Sequence, residues 1–229
     1  MPKAIILAAG LGSRFQALTK NFHKSLFQID GVPNLVRTIR YLQEAGIREI
    51  VVVTGHNSHL LEETVVPLDV KTIYNPHYKD KNNMYSFALA KEYFADSWVI
   101  DADVVLFENV FKETPKKATE LVIVRQNASP EWVVRTDAMG KINKIDVTLE
   151  QAPSLLGVSY WPKYEADAIT KAISEKSSGA FDCSGGYWCD VSRDLLEQGV
   201  IEVYAKLLPN GLADELDNVE DYERVCSKL

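Results

Sequence analysis

Three stretches of this 229-residue chain hold residues whose types and spacing suit chemistry on phosphate. The first is Gly10-Leu11-Gly12-Ser13-Arg14, directly after the apolar run Ala4–Ala9. Two glycines one residue apart let the backbone take positive φ and let another group approach closely. Successive N–H groups in such a turn form a concave anion site, and Arg14 adds a planar, permanent charge suited to phosphate. Lys24 supplies a second cation ten residues on. These residues make a candidate triphosphate grip, against the plainer alternative of a tight β–α turn. The second stretch is Asp101-Ala102-Asp103, whose carboxylates would share one face of a regular strand. Two anions so placed raise one pKa or recruit a cation. A nucleoside triphosphate brings such a cation, since Mg²⁺ binds phosphate oxygens together with one or two protein carboxylates. A strand-end turn capped by an aspartate accounts for the same pair. The third stretch, Asp214-Glu215-Leu216-Asp217, precedes the last predicted helix, where its charge favours the helix N-terminus.

Other glycine-loop and metal chemistries fit poorly. A dinucleotide fingerprint needs a third glycine where Phe15 stands, and a P-loop needs glycine where His23 precedes Lys24-Ser25. His56 and His59 share a helical face but have no cysteine or acidic partner at a structural-zinc spacing, and Cys183 and Cys189 miss the short zinc spacing. They read as a polar helix start and as free thiols. With Cys226 the cysteine count is odd, so a reducing cytoplasm and no structural disulfide are expected.

The elements that must position these residues follow from the apolar pattern. Ala4–Ala9 has the length of a buried strand and is far too short for a membrane span or a signal peptide. Leu35, Val36, Ile39, Leu42 and Ala45 mark a helical face stopped by Gly46. Strands are predicted over residues 49–55, 70–74 and 97–100, the last delivering Asp101 and Asp103 at its end. Helices are predicted from Asn57 or Ser58 and over 84–93. This alternation implies an α/β fold with a largely parallel sheet covered on both faces, and ligands of such sheets bind outside the carboxyl ends of the strands. The glycine loop and Asp101/Asp103 both fall at predicted carboxyl ends. The second half changes to an antiparallel pattern, with strands near 120–125, 132–136, 141–145 and 155–161. Helices follow at 163–174 and 187–198, then a strand at 201–205 and a helix at 219–227, with Ser177-Ser178-Gly179 as a loop. No repeat or linker divides the chain, so one domain (1–229) is expected, with residues up to about 110 holding the nucleotide and 111–229 forming a substrate-facing extension of the same sheet.

Composition narrows the partners. At 46% hydrophobic and 25% charged residues the chain is ordinary for a globular domain. Its net charge of −7 argues against nucleic acid and against an electrostatic membrane anchor. Aromatic residues gather in the second half: Trp132 after Glu131, Tyr160-Trp161, and Tyr187-Trp188 followed by Asp190. Aromatic faces beside carboxylates suit an ammonium group, although Trp and Tyr also fill cores.

Leu7-Ala8-Ala9-Gly10-Leu11-Gly12-Ser13-Arg14 resembles the signature of the nucleotidyltransferases that make NDP-sugars and CDP-alcohols. The family's Pro-Lys-x-Leu element reads His23-Lys24-Ser25-Leu26 here, with histidine in place of proline. The resemblance implies a Rossmann-like nucleotidyltransferase fold, with a mixed, mostly parallel sheet flanked by helices. It implies that Leu7, Ala8, Ala9, Gly10, Gly12, Ser13, Arg14 and Lys24 contact the nucleotide, and that Asp101 lies beside it. It also implies catalytic roles for Arg14, Lys24 and Asp103. The family's Glu-x-Asp element matches Glu215-Leu216-Asp217, which makes Asp103 and Asp217 the expected Mg²⁺ ligands.

Over nearly its whole length the chain is similar to bacterial CTP:phosphocholine cytidylyltransferases of the LicC type. The matching stretches are Asn82-Asn83-Met84-Tyr85-Ser86, Ile100–Asp103, Glu131-Trp132, Gly157–Trp161 and the Glu215/Asp217 element. Asn82, Asn83 and Ser86 are then expected to help hold nucleotide or acceptor phosphate, with plain N-capping as the alternative. Trp132, Tyr160, Tyr187, Asp190 and Glu215 become the expected acceptor side. The implied reaction is attack of an acceptor phosphate oxygen on the α-phosphorus of CTP, with pyrophosphate leaving. Phosphoethanolamine and aminoalkylphosphonates share the acceptor's oxyanion and ammonium. A sugar-1-phosphate transferase would place neutral hydrogen-bonding groups where Trp132 and Tyr187 stand. A regulatory module would keep the fold and bind nucleotide without chemistry.

Overall fold

Lys3–Ala8 (β1) is buried on both faces, and period-two alternation decides which side each residue serves. Ala4, Ile6 and Ala8 join one apolar cluster, while Ile5 and Leu7 join the other. The structure, a computed structural model, describes residues 1–125, 129–177 and 186–228. After β1, a 3-10 turn over Ser13–Thr19 and another over Lys24–Leu26 lead to the small hairpin Gln28–Ile29 (β2) and Val32–Pro33 (β3). Then come Asn34–Glu44 (α1), Ile50–Thr54 (β4), Ser58–Val65 (α2), Lys71–Tyr74 (β5), Asn83–Leu89 (α3), Ser97–Asp101 (β6) and Val104–Leu106 (β7). The second half contributes Ala118–Val124 (β8), Glu131–Thr136 (β9), Ile142–Thr148 (β10) and Pro153–Trp161 (β11). Lys163–Ser177 (α4), Trp188–Glu197 (α5), Val203–Leu207 (β12), Ala213–Glu215 (β13) and Val219–Cys226 (α6) complete the order.

Nine strands form one sheet in the order β10-β9-β11-β6-β1-β4-β5, with β8 paired to β11 and β12. β1, β4, β5 and β6 run parallel, and β11 enters antiparallel to β6, β8 and β9. Helices α1 and α2 cover one face through Leu35, Ile39, Leu42, Leu61 and Val65. Helices α3, α4 and α5 cover the other through Phe87, Ile169, Ile173, Trp188 and Val191. Each fully buried Val, Ile or Leu of this core contributes about 1.5–3 kcal/mol, so the parallel half is held by apolar packing on both sides.

Most expected elements are found within a few residues of their predicted ends. The predicted helix over 84–93 stops at Leu89 and continues only as a 3-10 turn over Lys91–Tyr93. Asn57 precedes α2 in a left-handed conformation and makes no side-chain cap; its amide instead donates to the carbonyls of Thr19 and Phe22. His56 is likewise tied to the Thr19 carbonyl while His59 is exposed, so the two do not form a pair. Of Gly10 and Gly12, only Gly12 takes positive φ (61°). Ser178-Gly179 and Cys183-Ser184-Gly185 lie outside the described residues.

The short strands β7 and β13 escaped the sequence reading, and they matter most for the site. They pair antiparallel, with Glu215 opposite Val104, and the Leu216 amide donates to the Asp103 carbonyl at 2.9 Å. This ladder brings the C-terminal acidic stretch beside the turn after β6.

Candidate active site

A cavity of about 1020 Å³ opens at the carboxyl ends of β1 and β6 and extends between β9, β11 and the start of α5. Its nucleotide-like end is built on the turn after β1. Gly10 has open space around its Cα, and Arg14 stands at the rim with 69% of its side chain exposed. Lys24 reaches in from its 3-10 turn. His23 caps that turn, its Nδ1 accepting from the Ser25 amide at 3.2 Å, and its ring is buried. Burial, then Lys24 and His56, push the His23 pKa down to about 4, so the ring is neutral at pH 7.

The carboxylates arrive on two elements. Asp101 closes β6, and Asp103 lies in the turn to β7, which is therefore not a continuation of the strand. Buried Asn34 at the start of α1 pins that turn, donating to the carbonyls of Val104 at 2.8 Å and Ala102 at 3.3 Å. Lys24 Nζ meets Asp103 Oδ2 at 2.5 Å, and Arg14 meets Asp217 at 2.9 Å. Burial works against both members of the first pair, but mutual attraction wins: the Asp103 pKa falls below, and the Lys24 pKa rises above, its ordinary value. Asp217 and Asp101 add to the field on Lys24. Asp101 moves the other way, up to about 8, through burial and the nearby Asp103, with Lys24 opposing. The two aspartates thus show both outcomes expected of crowded anions, one protonated and one paired with a cation. Gly157, at φ 83°, makes room for Asp101: a Cβ there would stand 2.8 Å from Asp101 Oδ2.

The far end is walled by Trp132 and Tyr187, whose rings meet edge to face at 6.1 Å. Arg193 occupies one side of Trp132, its guanidinium 5.0 Å from the ring centroid. Arg125 lies between, bound to Glu215, to Glu131 at 3.6 Å and to Ser154 Oγ at 2.6 Å. Burial raises the Glu215 pKa to about 8 despite Arg125.

Of the residues singled out from sequence, Leu7, Ala8, Ala9, Gly10, Arg14, Lys24, Asn82, Asn83, Ser86, Asp101, Asp103, Trp132, Tyr187, Glu215 and Asp217 line this cavity. Gly12 and Ser13 do not. Asn82 also caps α3 at the Asn83 amide, Asn83 accepts from the Trp188 amide, and Ser86 accepts from buried Asn75. Tyr160 is placed elsewhere. Along β11, Leu155, Gly157 and Ser159 face the cavity, so Tyr160 points through the sheet and packs on Trp98, whose ring also meets Phe111. Asp190 is placed outside the lining as well. Its carboxylate caps α5 at the Tyr187 amide (2.7 Å) and pairs with Arg193 (3.1 Å). Sequence reasoning missed Asn34, Asn75, Tyr78, Lys81, Glu120 and Arg125 in and around the site. Only the charge of Arg125 and Glu120 within an apolar strand pattern could have flagged them.

The donor set fits a hard divalent cation. Asp103 and Asp217 offer oxygen ligands beside two phosphate-type cations, and no larger His/Cys/Asp/Glu cluster occurs among the described residues. Two carboxylates suit an ion whose remaining positions are filled by phosphate and water.

Residues 4–112 match the MobA-like NTP transferase domain. The choline-phosphate cytidylyltransferase of Haemophilus influenzae is 37% identical over 99% of this chain and 97% of its own. The solved CTP:phosphocholine cytidylyltransferase of Streptococcus pneumoniae superposes with a TM-score of 0.92 at 34% identity, over 98% of this chain and 97% of that one. The 2-aminoethylphosphonate cytidylyltransferase of Lancefieldella rimae is 30% identical over 75% of this chain and 72% of its own. No helix among the described residues is long and apolar enough to cross a membrane. The chain belongs to the bacterial choline-phosphate cytidylyltransferases, a family of nucleotidyltransferase enzymes.

Proposed function

We propose that this chain transfers CMP from CTP to phosphocholine, giving CDP-choline and pyrophosphate, with Mg²⁺ as its divalent ion. One observation carries the reading: a single cavity joins Arg14, Lys24, Asp103 and Asp217 at one end to the Trp132–Tyr187 wall at the other. A triphosphate fits the first and a small cationic head the second.

The nucleotide lies over the turn after β1, with its phosphates toward Arg14 and Lys24. The acceptor phosphate is ionised near neutrality, so no general base is needed. Catalysis rests on holding the attacking oxygen in line with the α-phosphorus and on neutralising the charge that builds on the leaving pyrophosphate. Asp103 and Asp217 would hold the metal ion, which when bound supplies further charge neutralisation on the phosphates. Lys24 and Arg14 each lie in ion-pair contact with one of those two carboxylates. Trp132 offers the acceptor head its free ring face and Tyr187 the adjoining wall.

The test is pyrophosphate release with Mg²⁺ and CTP or UTP, across phosphocholine, phosphoethanolamine, 2-aminoethylphosphonate and glucose-1-phosphate. Preferred release with CTP and phosphocholine is expected. Preference for 2-aminoethylphosphonate would move the acceptor to a phosphonate, release only with glucose-1-phosphate would discard the ammonium end, and CTP binding without release would leave a regulatory module.

A further inference from the structure

Glu120 is a carboxyl that the mechanism above does not use. It sits on β8 between Ala118 and Val122, both members of the apolar cluster beneath α5, and only 5% of its surface is exposed. That remaining surface opens into the cavity. Its side chain makes no hydrogen bond or ion pair among the described residues, whereas Glu131, Glu215 and Asp190 are each held by an arginine. Glu215 and Glu131 hold Arg125, and Asp190 holds Arg193 and the α5 amides. Asp101 lies within the field of Lys24. Glu120 faces Cys189 in the first turn of α5, the turn that opens with Tyr187 and Trp188.

An isolated carboxyl in an apolar wall is costly unless something in the functioning state compensates it. Burial and the neighbouring Asp101 push its pKa up to about 8. No described residue supplies that cation, and the cavity offers room for one.

We infer that Glu120 is the counter-charge for the acceptor's ammonium group and sets the preference for a cationic over a neutral acceptor. This rests on the acceptor class proposed above. Trp132 and Tyr187 supply surface that a quaternary ammonium and an uncharged tert-butyl group both fill. The ring faces favour the cationic head through cation–π attraction, and Glu120 adds a counter-charge on top of it, since the two heads have nearly the same shape and differ in charge.

Equilibrium binding without CTP tests this, because it needs no turnover. The ligands are phosphocholine and its uncharged isostere 3,3-dimethylbutyl phosphate, titrated against the full chain and followed by tryptophan fluorescence. Wild type should bind phosphocholine at least about tenfold more tightly, the factor that a 1.4 kcal/mol difference produces. Glu120→Gln should reduce that preference to the roughly threefold that the ring faces supply, by weakening phosphocholine alone, while CTP affinity is unchanged. Glu120→Asp, the milder variant if glutamine disturbs folding, should keep part of the preference. Equal loss for both ligands would assign Glu120 to packing and overturn the inference, as would an unchanged preference in both variants or a wild type that binds the ligands equally. Glu120-dependent preference in a chain that transfers CMP to no ammonium phosphate would uphold the inference and sink the proposed reaction instead.

Discussion

The Lys24–Asp103 contact allows stability and catalysis to be separated by a double-mutant cycle. Their atoms meet at 2.5 Å, with 17% of the Lys24 side chain and 24% of the Asp103 side chain exposed. Unit charges about 4 Å apart attract by about 4 kcal/mol at an effective dielectric constant near 20, and partial exposure lowers this to about 3 kcal/mol. Lys24→Met removes the cation and leaves Asp103 beside Asp101, a loss of about 3–5 kcal/mol for a broken buried pair. In a domain of this size that lowers Tm by about 10 °C. Asp103→Asn alone should cost less, because Lys24 keeps Asp217 and Asp101 as neighbours. The double variant Lys24→Met/Asp103→Asn removes both charges, so most of the loss should return, with a coupling energy of about 3 kcal/mol. Pyrophosphate release should not return with it, since the proposed reaction uses Lys24 on the phosphates and Asp103 on the metal ion. Denaturant unfolding at pH 7 gives the first quantity and coupled pyrophosphate detection the second. Stability effects that add to within about 0.5 kcal/mol would refute the pairing. A double variant with near-wild-type turnover would remove both residues from the reaction.

His23→Gln tests the buried imidazole. Its folded pKa, about 4 against 6.5, means that the unfolded chain takes up a proton below 6.5 that the folded chain refuses until about 4. Stability is therefore lost as pH falls through that window, by about 3 kcal/mol in all. Asp101, Glu120 and Glu215, raised to about 8, give the opposite slope as pH rises, so the comparison is wild type minus variant. That difference should shift toward the variant between pH 6.5 and 4; a pH-independent difference would mean His23 is not neutral in the fold. Gly157→Ala should lose about 1–2 kcal/mol for its left-handed backbone, and activity as well, because the new Cβ displaces Asp101. Unchanged Tm and turnover would show that Asp101 has other room. Trp132→Ala should raise KM for phosphocholine about tenfold and leave KM for CTP alone, while Tyr160→Phe should leave both alone. A phosphocholine-specific defect in Tyr160→Phe would bring that hydroxyl back into the site.

The parallel half was legible because its strands are continuous apolar runs ending in polar turns, and the glycine loop and Asp101/Asp103 fall at those ends. The contact between the Asp103 turn and Asp217 was legible only through family resemblance. The ladder that makes it, β7 with β13, is three residues a side and leaves no periodic signal. Tyr160 was misassigned because adjacency to other aromatics in sequence says nothing about which face of β11 it serves; parity along the strand decides that. Asp190 was misassigned because a carboxylate three residues into a helix caps it as readily as it binds a ligand. Glu120 was passed over because a lone acid inside a strand reads as a solvent-facing residue until the helix covering it is known.

β11 belongs to two ladders at once. It pairs with β8 near both ends, the register of that ladder shifting between Leu155 and Ser159, and it also pairs with β9 at Ser154 and with β6 over Val158–Trp161. The second half of the chain thus has no sheet edge at which it could detach while the first half stays intact. Loss of β11 leaves Val99, Ile100 and Val133 without partners along one edge and Val122 and Ile123 along the other. Melting is therefore expected to be a single cooperative event, with Trp98 in one core cluster and Trp188 in the other reporting the same midpoint. Any opening of the cavity for product release must then come from its loops and helix ends, since parting the halves would cost the whole fold.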